Sequence, residues 1–173
     1  MKTLSLVFIM MFLENYLLGA ETENYKSGEK SVEKPKINIL FLCTGNSCRS
    51  QMAEGLANHF KGEMFNFYSA GTEKHGLNPR AVEVMHEIEI DISNHLSKTL
   101  DEISHIKMDI IFTVCSNAQE SCPNFGEGKV IHVSFDDPPK ITESMDDDEE
   151  ILEIYRRVRD QIREFIENIE SKL

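Results

Sequence analysis

An apolar segment that runs directly into a loop of small and polar residues constrains the fold of this chain most. Residues Ile37–Leu42 read Ile-Asn-Ile-Leu-Phe-Leu, and a nearly continuous apolar run of this length is typical of a central parallel strand covered on both faces. After the loop 43–50, apolar residues recur at helical spacing in Gln51–Phe60. The segment therefore predicts a strand, a loop and a helix in direct succession, with Cys43 where the strand ends.

The rest of the chain alternates strand-like and helix-like segments. The further predicted strands are Phe65–Ser69, Asp109–Val114 and Lys129–Val133. The further predicted helices run from Pro79 to about Glu89, over Leu100–Ile106, and from about Asp147 to the end of the chain. This alternation predicts an α/β fold, a single three-layer domain whose four-stranded parallel sheet carries helices on both faces through right-handed crossovers.

Two details of these segments are specific enough to be checked. Asn78 followed by Pro79 is a helix start, with asparagine as the N-cap, and the spacing places Ala81, Val82, Met85 and Ile88 on its inward face. The stretch Ser134–Lys140, which follows the last strand, is predicted to be a loop.

Composition limits the function classes. The 173 residues are 40% hydrophobic and 28% charged, which fits one soluble α/β domain. The formal net charge is -12, and a nucleic acid partner would require a basic face. We therefore expect no nucleic acid partner, although a small anion can still be bound by local backbone amides.

The first 20 residues differ from the rest. Lys2 precedes an apolar run, Leu4–Leu13, and the segment ends in Gly-Ala, a pattern typical of a secretory signal cleaved after Ala20. The run is shorter than the roughly 20 apolar residues of a spanning helix. We expect an exported or periplasmic protein; an uncleaved anchor, which is the only membrane contact expected, and a cytoplasmic protein with an overextended start remain alternatives.

The domain boundary is expected shortly before the first strand. Residues 21–35 mix acidic and basic side chains without apolar periodicity and are predicted to be a flexible linker. The folded domain is predicted to span residues 36–173.

The loop after the first strand combines a nucleophile with an anion site. Backbone N–H groups at a helix start are unpaired and carry partial positive charge, so they favour an oxyanion. The planar fork of Arg49 suits two oxygens of such an anion, and Ser50 can donate a hydroxyl to the sulfur. We expect this field to lower the pKa of Cys43 from ~8.5 to about 3.5–7.5. The candidate oxyanion-binding residues are Thr44, Gly45, Asn46, Ser47, Cys48, Arg49 and Ser50.

A second group of reactive residues follows the later strands. Cys115 comes directly after the third predicted strand, and Asp137 lies in the sequence Asp-Asp-Pro-Pro after the fourth. In parallel sheets, ligands bind beyond the carboxyl ends of the strands, so Cys43 and Cys115 can meet at one site. There Asp137 can protonate a departing oxygen.

The four cysteines allow several interpretations. Two structural disulfides are possible in an exported chain, whereas the spacing Cys-x4-Cys with Cys-x6-Cys fits zinc poorly, and no metal site is expected. If the segment between Cys115 and Cys122 is helical, their Cα atoms lie about 10.5 Å apart, beyond the ~6.8 Å that a disulfide allows. A disulfide between them would then force the segment to unwind.

Several motifs together resemble the thioredoxin-coupled arsenate reductases, which share the fold and anion loop of the low-molecular-weight protein tyrosine phosphatases. The resemblance spans about Ile37 to the C-terminus. It rests on Cys-Thr-Gly-Asn-Ser-Cys-Arg-Ser-Gln-Met-Ala-Glu-Gly (43–55), Tyr-Ser-Ala-Gly (68–71), His-Gly-x-Asn-Pro (75–79), Asp-Ile-Ser-Asn-His (91–95), Cys115-x6-Cys122-Pro123 and Asp-Asp-Pro (136–138).

The resemblance implies a relay of three cysteines. Cys43 attacks an arsenate held by Arg49 and the loop amides, with Asp137 as general acid. Cys115 attacks the Cys43 sulfur, which releases arsenite, and Cys122 then attacks Cys115. The resulting disulfide is reduced by thioredoxin, the expected electron donor. No tightly bound cofactor is implied, and the expected role is arsenic resistance by a monomer.

Some members of this family bind potassium near the loop. Asn46, Glu54 and Ser69 match three of its ligand positions, but Lys98 stands where those members carry an acid. We hypothesise that the Lys98 ammonium replaces the cation.

Two other functions remain open. A low-molecular-weight protein tyrosine phosphatase would need only Cys43, Arg49 and Asp137, but its typical tyrosine after Asp-Pro is replaced here by Pro139. A non-catalytic oxyanion-binding or redox-sensing module would tolerate the loss of Asp137.

Overall fold

A four-stranded parallel sheet organises the domain. The computed structural model describes residues 35–115 and 128–173. Its strands are β1 (Ile37–Cys43), β2 (Phe65–Gly71), β3 (Ile110–Thr113) and β4 (Lys129–His132), in the order β2-β1-β3-β4, and all neighbouring pairs are parallel. The predicted α/β class and parallel sheet are confirmed.

The central strand β1 carries the core of the sheet. Residues 39–42 are each at most 1% exposed, which requires cover on both faces because successive side chains of a strand point to opposite sides. Phe41 stacks between Phe67 of β2 and Phe112 of β3. The C-terminal end of β1 is thereby held in place, and the loop with Cys43 begins there.

The helices occur in the predicted order, but they begin or end at residues other than those predicted. They are α1 (Arg49–Lys61), α2 (Pro79–His86), α3 (Pro138–Ile141) and α4 (Asp148–Glu167), with 3₁₀ turns at Asp101–Ile103 and Ile169–Lys172. Helix α4 packs against α1 and α2. None of the described helices is long and apolar enough to cross a membrane.

Three local predictions were wrong in part. Helix α2 ends at His86, and Glu89 adopts a left-handed φ of 63°, so the chain turns before the predicted helix end. Its buried face contains Val84 rather than Val82 and Ile88, which are only half-buried. The segment 134–140 is a loop only as far as Asp137, because Pro138 begins α3.

Other predictions fall outside the described residues. These are the leader 1–20, the linker up to residue 34, and the segment 116–127, which includes Cys122.

Candidate active site

The loop between β1 and α1 wraps around the sulfur of Cys43. The sulfur accepts a hydrogen bond from the backbone N–H of Asn46 at 3.1 Å and is hydrogen-bonded to the Ser50 hydroxyl at 2.8 Å. Asn46 has a left-handed φ of 44°, a conformation that asparagine tolerates better than most residues. The predicted contact between Ser50 and Cys43 is present.

A neighbouring segment fixes which way the loop faces. The backbone N–H groups of Thr72, Glu73, His75 and Asn78 donate to carbonyls of the loop. Those carbonyls are therefore held by hydrogen bonds to this segment. Gly71 makes the close approach possible, since a Cβ there would lie 2.5 Å from the Thr44 carbonyl oxygen and 2.7 Å from Asn46 N.

The expectation of a lowered pKa for Cys43 is not met. Burial raises the pKa of this thiol and outweighs the opposing hydrogen bonds from Ser50 and Asn46. The positive charge of Arg49 acts in the lowering direction but is the smallest contribution. The physical reason is that the thiol is only 4% exposed and that the arginine is already paired with a carboxylate.

That carboxylate belongs to Asp137. The Arg49 Nη2 atom lies 2.9 Å from Asp137 Oδ2, and its Nη1 donates to the Phe135 carbonyl at 3.3 Å. The structure thus brings Arg49 and Asp137 together, as their sequence positions indicated. An oxyanion bound at Arg49 would compete with Asp137 for the guanidinium.

Cys115 lies beside the same loop. The backbone N–H of Val114 donates to the Leu42 carbonyl at 2.9 Å, which sets the end of β3 next to the end of β1. The Cys115 sulfur is 3.6 Å from the hydroxyl of Thr44 and is 3% exposed. Both cysteines line a cavity of about 630 Å³, whose other walls include Cys48, Arg49, His75 and Asp137.

Cys48 has different surroundings from the other two thiols. It faces the same cavity, but full burial raises its pKa well beyond the usual range and outweighs the influence of Arg49. For Cys43, hydrogen bonds from Ser50 and Asn46 oppose the effect of burial on the pKa, whereas for Cys48 no hydrogen bond is among the opposing influences.

The residues around the expected cation position satisfy one another. The Asn46 side chain donates to Ser69 Oγ at 2.8 Å, and Ser69 donates to Glu54. The Lys98 backbone N–H donates to Asn46 Oδ1 at 2.6 Å, while its ammonium lies 3.3 Å from Glu54 Oε2. Within residues 35–115 and 128–173, no cluster of three or more His, Cys, Asp or Glu side chains suits a metal ion.

No catalytic or binding role was predicted for His75, although it lies in the His-Gly-x-Asn-Pro motif. Its ring lies against Gly45, where an added Cβ would come within 2.4 Å of Nδ1, and it lines the cavity. Its Nε2 lies 3.0 Å from Glu73 Oε2. The sequence signal that could have identified it is its place in the His-Gly-x-Asn-Pro motif, which packs over the loop after β1.

The Ser50 hydroxyl offers a direct test of how the loop controls its thiol. Because this bond lowers the Cys43 pKa, Ser50→Ala should move the pH midpoint of iodoacetamide alkylation upward by roughly one unit. The alkylation rate of Cys43, followed by peptide mass spectrometry, measures the shift. Ser47→Ala, in the same loop, is the control and should leave the midpoint in place; a midpoint unchanged in Ser50→Ala contradicts the assignment.

Comparison with known proteins agrees with this geometry. Residues 38–173 match the family model described as low molecular weight phosphotyrosine protein phosphatase. The chain is similar to an arsenate reductase of Halalkalibacterium halodurans, with 49% identity over 72% of this chain and 88% of the relative. It is also similar to an arsenate reductase of Staphylococcus aureus, with 46% identity over 79% of this chain and 98% of the relative.

Solved structures of an arsenate reductase and of a phosphatase also align with this chain. An arsenate reductase in the phosphate-binding state aligns with a TM-score of 0.62 and 29% identity, over 79% of this chain and 98% of that one. A low molecular weight protein tyrosine phosphatase from T. tengcongensis aligns with a TM-score of 0.65 and 27% identity, over 80% of this chain and 100% of that one.

Proposed function

The chain belongs to the low molecular weight phosphotyrosine protein phosphatase family, and we infer that within this family it is an arsenate reductase, an oxidoreductase that converts arsenate to arsenite. The observation that carries this inference is the second thiol: Cys115 lies 3.6 Å from Thr44 in the loop that holds Cys43. A phosphatase mechanism has no use for that cysteine. The relatives named arsenate reductase support the same conclusion.

The first step joins sulfur to arsenic. Arsenate binds to the loop amides and to Arg49, and the Cys43 thiolate attacks the arsenic atom. Asp137 takes up a proton from solvent when the oxyanion displaces it from Arg49, and it gives that proton to the departing hydroxyl, which leaves as water. The product is a covalent adduct between Cys43 and arsenic in its +5 state.

The second step transfers two electrons. The Cys115 thiolate attacks the Cys43 sulfur, and the electron pair of the sulfur–arsenic bond stays with arsenic, which leaves as arsenite. Cys43 and Cys115 are oxidised to a disulfide. The placement of both thiols at the same sheet edge supports this step.

Regeneration requires an external dithiol. We propose that Cys122, which lies outside the described residues, attacks Cys115 and releases Cys43 as a thiol. Thioredoxin or a similar reductant then reduces the Cys115–Cys122 disulfide by thiol–disulfide exchange. No other redox cofactor enters this scheme.

One variant and two substrates distinguish an arsenate reductase from the nearest alternative, a tyrosine phosphatase. Reduced enzyme is mixed with arsenate or with 4-nitrophenyl phosphate, and arsenite and nitrophenol are counted. Cys115→Ser should abolish arsenite release and leave any ester hydrolysis unchanged. Ester turnover without arsenite from the parent protein would establish the phosphatase, and binding without either product would establish a non-catalytic module.

We propose that the ammonium of Lys98 serves in place of a potassium ion beside Glu54. Replacing potassium in the buffer by a large organic cation should then change the rate of arsenite formation less than about twofold. It should change the melting temperature by less than about one degree, because the Lys98 ammonium already supplies the positive charge. Lys98→Met should lower the melting temperature by leaving the Glu54 carboxylate without its cation. A clear potassium requirement in the parent protein would contradict the proposal.

The proposal also covers the compartment and the oligomeric state of the protein. We propose that residues 1–20 direct export and are cleaved after Ala20, which N-terminal sequencing of the mature protein tests. Recovery of an intact Met1 would contradict it. We expect a monomer, which light scattering of the purified enzyme would show.

A further inference from the structure

The active-site cavity has to attract an anion to a protein that is itself strongly anionic. The formal net charge is -12, and a field of that sign opposes the approach of an oxyanion. A cation at the cavity can offset this repulsion only where no carboxylate already neutralises it. What counts is therefore the balance of charge among the residues that line the cavity.

Most of the charged groups around the cavity are paired. The pairs are Arg49 with Asp137 at 2.9 Å, Arg157 with Asp136 at 3.2 Å, and His75 with Glu73 at 3.0 Å. Opposite charges at such distances largely cancel one another's field at longer range. These pairs therefore contribute little to the attraction of an anion that is still in solvent.

Lys140 is the exception. It lines the same cavity and is exposed, so it lies where the cavity meets solvent. Within residues 35–115 and 128–173, its ammonium has no ion-pair or hydrogen-bond partner. Since the lining acids Asp136 and Asp137 are both paired, the charge of Lys140 is the surplus positive charge at this edge of the cavity.

The backbone that carries Lys140 is fixed relative to the general acid. Lys140 lies in α3, and the backbone N–H of the next residue, Ile141, donates to the Asp137 carbonyl at 2.9 Å. The backbone N–H and the hydroxyl of Thr142 both donate to the carbonyl of the buried Pro138, at 3.0 and 2.8 Å. The turn thus keeps Lys140 beside the cavity, while its long side chain is free to follow an anion.

We propose that Lys140 is a recruiting residue for the substrate: its ammonium is the unpaired positive charge that draws a tetrahedral oxyanion into the cavity, towards Arg49 and the loop amides. The proposal deepens the proposed function and rests on it for the identity of the oxyanion. An ammonium is a point charge that accepts an anion in many orientations, whereas the fork of Arg49 fixes one. Lys140 therefore acts on capture of the substrate and not on the chemical steps.

The first measurement is the salt dependence of arsenate reduction. Lys140→Gln should lower kcat/KM about threefold to fivefold at low ionic strength and leave kcat within about 1.5-fold. The loss should shrink below about 1.5-fold in about 1 M sodium chloride, where the Debye length is about 3 Å. Lys172→Gln is the matched control, because it changes the net charge equally from the C-terminal 3₁₀ turn, outside the cavity.

The second measurement needs no arsenate. Iodoacetate is an anion and iodoacetamide is neutral, and both alkylate the sulfur of Cys43. The ratio of their rates, followed on the Cys43 peptide by mass spectrometry, should fall about twofold to threefold in Lys140→Gln. Lys140→Arg, which keeps the charge, and Lys172→Gln should both retain the parent ratio. A change in the shape of the site or in the thiol would alter both rates alike and leave the ratio as it was.

The outcomes separate this proposal from the proposed function. An unchanged ratio in Lys140→Gln would overturn the recruiting role, as would an unchanged kcat/KM at low ionic strength or a loss that persists at high salt. If the parent protein forms no arsenite, the proposed function fails, while the ratio of the two alkylation rates still decides the role of Lys140.

Discussion

Replacing Cys43 by serine should reduce arsenite formation at least about 10⁴-fold, because the sulfur is the atom that bonds to arsenic and a serine hydroxyl is a far weaker nucleophile. Folding should be preserved, since the hydrogen bonds to Asn46 and Ser50 can be made by an oxygen. Phosphate should still bind, as the loop amides and Arg49 are unchanged. Quenched-flow measurement of arsenite in a single turnover gives the rate, and calorimetry gives phosphate affinity.

Cys48→Ser is the matched control. This cysteine lies in the same loop and is also 4% exposed, but the proposed relay does not use it. We expect its arsenite formation to stay within about threefold of the parent rate, because serine keeps the shape of the side chain and Cys48 takes no part in the proposed relay. A loss as large as that of Cys43→Ser would mean that the loop contains a different first nucleophile.

The second large effect is expected at Arg49. Arg49→Lys keeps the charge but loses the planar fork that binds two oxygens at once, so kcat/KM for arsenate should fall about 10²–10³-fold, the range found when a preorganised oxyanion donor is removed. Most of the loss should appear in kcat, since the fork matches the charge that builds up as the leaving oxygen departs. Steady-state kinetics with a thiol reductant in excess measures both constants.

Arg157→Lys is the control for this prediction. Arg157 pairs with Asp136 at 3.2 Å, next to Asp137, but both partners are more than half exposed, and such pairs contribute little. Its kcat/KM should change less than about twofold. A similar loss in both variants would show that charge around the acid segment, rather than the fork of Arg49, governs the rate.

The part of the site that could be predicted from the sequence is the part that depends on local chemistry. The strand before Cys43, the helix after it and the Asn78–Pro79 helix start follow from patterns of neighbouring residues, and all are present. The meeting of Cys43 with Cys115 followed from the rule that parallel strands place their carboxyl ends at one edge.

The part that could not be predicted depends on packing. The pKa of Cys43 was expected to fall because the local motif supplies positive charge, whereas its burial and the pairing of Arg49 with Asp137 are set by distant residues. The same holds for α2, where Val84 faces the core instead of Val82. Ala81 and Met85 are buried as predicted, and the contacts with α1 and α4 decide that Val84 rather than Val82 joins them.

The central claim is that Cys43 and Cys115 exchange electrons with one arsenic atom. Reduced Cys122→Ser protein, which stops the proposed relay at its second step, should be mixed with one equivalent of arsenate without any external reductant and then mapped by peptide mass spectrometry. We predict one arsenite per protein and a disulfide between Cys43 and Cys115. Arsenite released while Cys115 keeps a free thiol, or no arsenite with both thiols intact, would contradict the account.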